Sequence, residues 1–568
     1  MHWIRFSNVF FSLPLLLVIG FLVFFPISSL VAGSFWSNYP GYPGKWTLKN
    51  YLEAFSDPAL PTLLVNSLVY AAGSTILATI LALVYAFITI RTDTPGRGVL
   101  SLLPYIDLIT PALLSNVAWI YLLHPRVGII NNFLQQVFGP ETPTLNIFSM
   151  PGMIFVTGMN TFSLVYLGIS SSLKTMNPEF EDASRICGAG IRKTSLLVTL
   201  RLMMPAIFSM ALLNFIIVLE VFETPSIIGV PANVPVFMSV IYNYIAWRVP
   251  PLTGHASALA VILLTLVITL TTLYRRYTKR SEKYAVITGK GHNPNVIYLG
   301  RWRYLTFFLV FSLALLLTAV PLFVVTVLSF KVFWDPNNIF GDLTIKNYLE
   351  VFENPVLTVS IINSTLFSIA SATILTFLIS TSTYISRRSK TRGASVVESV
   401  SMLPQSYPGL ILALGLLWGY ISLPLGIYGT PAILVIAYVT RFMPHITRIF
   451  SGVVIQIHQE LEESARVCGS SPMSSIRRIV LPLLKPSLLS AWVYAFIVSF
   501  RELSASVLLV SPGTEVVSVF LWGLWINGED RQFAAAIVIM VCILTGIIAF
   551  VTLMSRLLKT KLVITRRV

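Results

Sequence analysis

Residues 179–207 read EFEDASRICGAGIRKTSLLVTLRLMMPAI, and residues 460–488 read ELEESARVCGSSPMSSIRRIVLPLLKPSL. Glu181, Arg185, Cys187, Gly188 and Pro205 return as Glu462, Arg466, Cys468, Gly469 and Pro486, each displaced by 281 positions. Both copies are acidic and then basic, and both sit between long apolar runs. The chain has 568 residues, of which 55% are hydrophobic and 11% charged, with a mean hydropathy of +0.80. Soluble domains are about one quarter charged, so this composition belongs to a protein that crosses a membrane many times. The two copies are then the main exposed features on one side of that membrane.

A bilayer crossing takes about 20 apolar residues. Such runs fall near 9–31, 61–90, 98–123, 151–174, 206–228 and 256–274, and again near 304–330, 356–386, 397–423, 431–453, 487–510 and 534–555. The first run is too long for a cleaved signal and no small-residue cleavage site follows, so it reads as a retained span. With the N-terminus inside, thirty of the 39 Lys and Arg fall on inner segments and seven on outer ones, while Arg441 and Arg501 lie within spans. That asymmetry predicts a cell-membrane protein with both termini cytoplasmic, and it places both repeated loops there. It also accounts for the net charge of +16 without a nucleic-acid partner. Cys187, Cys468 and Cys542 have no metal or disulfide spacing and are expected as reduced thiols.

The repetition extends further. KNYLEAF at 49–55 returns as KNYLEVF at 346–352, and Asn66-Ser67 returns as Asn363-Ser364, at an offset of 297. The offset drops to 281 because the outer loop 124–150 shrinks to a turn near 424–430. Six spans is an even number, so the halves run parallel. The expected fold is all-α and polytopic, with twelve transmembrane helices as two repeats, 1–274 and 304–568. A basic cytoplasmic linker, 275–303, joins them at the anionic leaflet.

Within the first loop Asn177 can cap a helix whose first turn holds Pro178, Glu179, Glu181 and Asp182. Glu181–Arg185 and Glu462–Arg466 have i,i+4 spacing. Gly188 and Gly469 suit left-handed caps. A second, basic helix follows, with Pro205 and Pro486 near the start of the next span. Taken alone, this hairpin could stand off the membrane or lie in the headgroup layer.

The spacing resembles the cytoplasmic signature of permeases in binding-protein-dependent ABC importers: an E-A-A triplet, Gly after three residues, nine residues, then I-x-L-P. The second copy supplies Glu463-Ser464-Ala465, Gly469, Ile479, Leu481 and Pro482; the first supplies Asp182-Ala183-Ser184, Gly188, Val198 and Leu200, with Arg201 in place of the proline. The resemblance implies a type I importer permease whose loops, 176–205 and 457–486, dock into two separate ATP-binding subunits. Its coupling residues would be Glu181, Asp182, Ala183, Arg185, Gly188 and Pro205, with Glu462, Glu463, Ala465, Arg466, Gly469, Pro482 and Pro486 in the second loop. It implies too that an extracytoplasmic substrate-binding protein delivers the solute. Residues 222–242 and 500–522 resemble segments of fused, double-length permeases of the ferric-iron uptake type, so the cargo implied is ferric iron, or otherwise thiamine, phosphonate, polyamine or sugar.

No catalytic or metal-binding set is expected in the chain. The nearest approach to a phosphate loop, Gly188 to Thr194, has Arg192 where glycine is needed. ATP and Mg²⁺ would therefore belong to the partner subunits. Ionisable side chains inside spans are costly and mark pathways or one another. Glu220 and Glu223 fall in the fifth expected span and Arg501 and Glu502 in the eleventh, with Glu220 and Arg501 at equivalent positions, 281 apart. They are the candidates for the translocation path or gate, set against simple packing through local salt bridges. Arg441 reads as the inner flank of span ten, reaching for headgroups. An ion-coupled twelve-span secondary transporter is the alternative, and it offers no reason for two matched hairpins.

Overall fold

The computed structural model describes residues 2–107, 110–282, 296–388 and 392–564; residues 283–295, the middle of the expected linker, lie outside the described residues. The chain is an all-α polytopic membrane protein. Among the described residues ten helices are long and apolar enough to cross a membrane, or eleven if one sharply bent pair counts as a span. Twelve continuous spans were expected, and proline accounts for the difference. The run 98–123 is broken into Arg97–Leu100, Leu103–Asp107 and Ala112–Leu123, and the run 397–423 bends by 106° between Val396–Ser406 and Gly409–Ser422. Pro104 and Pro111 interrupt the first, Pro404 and Pro408 the second. Each proline removes a backbone donor and pushes its predecessor out of helical geometry, which hydropathy does not register.

The fifth and eleventh expected spans, 206–228 and 487–510, are displaced. Their helices run Ile191–Leu219 and Pro472–Phe500, so each begins inside the repeated loop and ends early. Short apolar helices, Phe237–Ala246 and Val517–Ile526, follow each break.

The described chain forms two compact units, Met1–Phe55 with Tyr244–Leu264 and Leu349–Val568, and Ser56–Asn243 with Thr265–Tyr348. These cut across the sequence repeats, because each repeat's leading helix packs with the other repeat. In the first unit His2–Ser34 lies along Gly409–Ser422. A Cβ on Gly33 would meet the Trp418 ring at 2.3 Å, one on Gly415 the Pro26 carbonyl at 2.2 Å, and one on Gly419 the Phe25 ring at 2.6 Å. Gly415 and Gly419 form a G-x-x-x-G face of the kind that lets membrane helices approach closely. In the second unit Val320–Ser329 packs on Ala112–Leu123. The Tyr121 and Trp334 rings meet there edge to face at 4.8 Å, and Trp334 Nε1 donates to the Val127 carbonyl at 2.8 Å.

Both sequence repeats outside the loops have a structural reason. Carbonyls at a helix C-terminus lack intrahelical partners. Asn50 Nδ2 donates to the carbonyls of Ser34 and Trp36, both at 2.9 Å, and Asn347 Nδ2 does the same for Ser329 and Lys331. The adjacent hydroxyls pair as well, Ser34 with Tyr51 at 2.8 Å and Ser329 with Tyr348 at 2.7 Å. The Asn-Ser dipeptides cap the short helices from another span: Ser67 Oγ accepts from Phe237 N at 3.1 Å, and Ser364 Oγ from Val517 N at 2.8 Å.

Candidate functional site

Each repeated loop is an acidic helix, a glycine turn and a longer helix. The acidic helices are Glu179–Ile186 and Glu460–Val467. Asn177 Oδ1 accepts from Glu179 N at 3.0 Å, and Glu179 and Glu181 stand in the first turn beside the positive end of the helix dipole. Gly188 has φ +84° and Gly469 +85°. Beyond them Ala189 N donates to Ser184 O at 3.1 Å and Ser470 N to Ala465 O at 2.9 Å, the six-to-one bond of a Schellman cap. Nothing lies within 4 Å of a Cβ at either glycine, so the substitution costs only backbone strain. Gly188→Ala and Gly469→Ala should each lower stability by about 1–2 kcal/mol and speed protease cleavage at the turn, read by thermal unfolding and limited proteolysis.

The carboxylates one turn into each helix point inward, away from the arginine four residues on. Glu181 Oε2 lies 3.4 Å from Arg91 Nη1, with both side chains almost fully buried, at 6% and 1% exposure. Its other oxygen accepts from Thr199 Oγ1 at 2.6 Å, and Arg91 Nη2 donates to the Leu173 carbonyl at 3.3 Å. Glu462 Oε1 lies 2.9 Å from Arg388 Nε, Tyr384 donates its hydroxyl to Glu462 Oε2 at 2.8 Å, and Arg388 Nη2 donates to the Ile457 carbonyl at 2.8 Å. The expected pairs Glu181–Arg185 and Glu462–Arg466 are thus replaced by tertiary ones, since a buried carboxylate needs a buried cation. Arg91 and Arg388, the last residues of Leu60–Arg91 and Pro355–Arg388, were counted in the sequence only as inner-side charge. Their spacing of 297, the same as that of the KNYLE motifs, was the available signal.

Asp182, Ala183 and Glu463 face outward, as do Gly188, Arg466 and Gly469, while Arg185 and Ala465 are half-buried. At each tip an apolar side chain stands bare: Ile186 is 86% exposed and Val467, its counterpart, 89%. The basic segment is not a separate helix. It continues into the span through a π-turn, Ser195–Thr199 in one copy and Ile476–Val480 in the other. Pro205 and Pro486 lie inside the helices that follow. The π-turn forms in both copies, so Arg201 in the place of Pro482 leaves the local backbone path unchanged.

Glu220 and Arg501 each follow the last helical residue, Leu219 and Phe500, and each N–H bonds back into its helix. Glu223 opens the short helical turn that leads into the π-helix Pro225–Gly229, and Glu502 falls in the irregular segment just beyond Phe500. The four therefore lie at breaks in the spans, not in helix interiors. Glu502 is buried and paired locally: Arg441 Nη1 lies 2.9 Å from its Oε1 as an ion pair, and that oxygen accepts from Ala505 N at 2.8 Å. Arg441 thus turns to Glu502 and not toward headgroups. At the equivalent place the first repeat has a neutral network, with Asn160 Nδ2 donating to Asn116 Oδ1 at 3.4 Å and Thr224 Oγ1 to the same oxygen at 2.9 Å.

Residues 377–563 match the family model described as binding-protein-dependent transport system inner membrane component. Along nearly its whole length it is similar to ferric transport permeases. It is 24% identical over 518 residues to the putative ferric transport system permease protein FbpB 1 of Haemophilus influenzae, covering 89% of this chain and 79% of that one. It is 24% identical over 550 residues to the ferric transport system permease protein FbpB of Actinobacillus pleuropneumoniae, covering 95% and 77%. Among solved structures, a bacterial ABC transporter that imports alginate has a chain 16% identical, with a TM-score of 0.36, covering 45% of this chain and 98% of that chain.

Proposed function

We propose that this permease imports ferric iron handed over by an extracytoplasmic binding protein, and that two separate ATP-binding subunits, holding ATP and Mg²⁺, dock on the loops 176–205 and 457–486. Both termini and both loops lie in the cytoplasm, the repeats 1–274 and 304–568 are the two functional halves, and the linker 275–303 joins them on that side. The helix ends carrying Glu220 and Arg501, with Glu223 and Glu502, belong to the substrate's path. The choice of iron is supported by the ferric permeases that align over most of the chain.

The observation that carries the docking assignment is the matched pair of bare tips. An isoleucine and a valine that are 86% and 89% exposed, each on a helix anchored by a buried carboxylate and stopped by a left-handed glycine, suit a partner's apolar cleft. The test is to purify the permease with its co-purifying proteins, identify a nucleotide-hydrolysing subunit, and measure whether the binding protein takes ferric ion. Ile186→Asp with Val467→Asp should weaken subunit association about 30-fold or more. Full association of that variant, or import by the purified chain without nucleotide, would exclude the reading.

A further inference from the structure

We propose that Arg91 and Arg388 are positioning residues that act as joints, linking each loop helix to the spans it moves, and that the two joints are wired differently. This deepens the reading of the loops as ATPase levers and rests on it. In both copies an arginine ending one span meets a glutamate that opens a loop helix and the carbonyl of a residue at or just past the end of the intervening span. The arginines are 297 apart and the glutamates 281, so two stretches with different offsets meet in both copies.

Burying a guanidinium and a carboxylate costs several kcal/mol per ion, and apolar residues of similar size hold a fold as well or better. What charges add is direction, because an ion pair whose other polar atoms are held by neighbouring hydrogen bonds fixes register where apolar surfaces slide. Each glutamate lies five residues before the exposed tip, about 7.5 Å along the helix axis. Force applied at Ile186 or Val467 is therefore delivered at the far end of a short rigid helix, onto the arginine.

The third partner differs. Glu181 also binds Thr199 on the π-turn, so the first lever is joined to Leu60–Arg91 and to the helix that continues from its own loop. Glu462 instead accepts from Tyr384, one turn before Arg388, so its hydrogen bond and its ion pair both run to Pro355–Arg388. The counterpart of Thr199 is Val480, which has no hydroxyl, and that of Tyr384 is Phe87. The first glutamate is tied to two helices, and the second to one.

The test uses the complete complex in proteoliposomes, with ferric iron as the probe, measuring both iron imported and phosphate released. Arg388→Met with Glu462→Leu leaves no unpaired charge, so the complex should assemble and hydrolyse ATP. We expect its import per ATP to fall about fivefold or more, and a smaller change overturns the joint. If that variant does not assemble, Tyr384→Phe decides. Removal of one hydroxyl should lower import per ATP about twofold or more, and an unchanged ratio overturns the proposal. Absence of ATP-driven import in the wild-type complex would overturn the functional reading itself, and the joint with it.

Discussion

Gly409→Ala will separate Arg441 from Glu502. Gly409 opens the second arm of the bent pair, and a Cβ there would sit 1.1 Å from Arg441 Nη1. The guanidinium is the flexible end of its side chain and can move, but moving it breaks the 2.9 Å contact with Glu502. Glu502 is then a buried carboxylate without its cation, and breaking one side of such a pair costs about 3–5 kcal/mol. The expected result is a large fall in the midpoint of thermal unfolding. Gly409→Ala with Arg441→Met and Glu502→Leu should recover most of it, because no buried charge remains. A Gly409→Ala variant that unfolds like the wild type would show that the pair re-forms elsewhere. The first repeat avoids the problem: its counterparts are Ala112, Asn160 and Val221, with neutral side chains meeting at Asn116.

Gly415→Val should be nearly as damaging for a different reason. The Pro26 carbonyl lies 2.2 Å from the position of a Cβ on Gly415, so the obstacle is backbone and cannot rotate aside. His2–Ser34 would have to lift from Gly409–Ser422, taking Phe25 from Gly419 and Trp418 from Gly33. Overpacking of this kind costs about 1–3 kcal/mol, with lost contacts added. Trp418 Nε1 also donates to Ser257 Oγ at 2.8 Å, so tryptophan fluorescence should shift as that indole loses its partner. Unaltered fluorescence and unaltered melting would show that the helices do not meet at Gly415.

Much of the fold was readable in the chain. The all-α class and the loop turns at Gly188 and Gly469 follow from hydropathy and the conformational freedom of glycine. The KNYLE and Asn-Ser repeats were visible as repeats, but their work was not, because Asn50 and Ser67 cap helix ends brought to them by tertiary packing. Two kinds of error came from local reasoning. Counting apolar length made continuous spans of 98–123 and 397–423, although each contains two prolines. Reading Glu181 against Arg185 assumed that the nearest opposite charge in sequence is the partner. In an apolar medium a carboxylate goes to whichever cation is buried with it, and Arg91 lies 90 residues earlier. The same rule applies to Arg441, which the sequence assigned to the interface and the structure pairs with Glu502.

The exchange of leading helices sets an order of events during synthesis. A ribosome that has made only the first repeat has not yet made Val320–Ser329 or Trp334, the pieces that cover Ala112–Leu123. The nascent first half therefore waits in the bilayer with an unfinished face, while the helix it has already made, His2–Ser34, waits for Gly409–Ser422. Neither half can mature ahead of the other, and severing the chain between them would leave two fragments that must find each other in the membrane before either is complete.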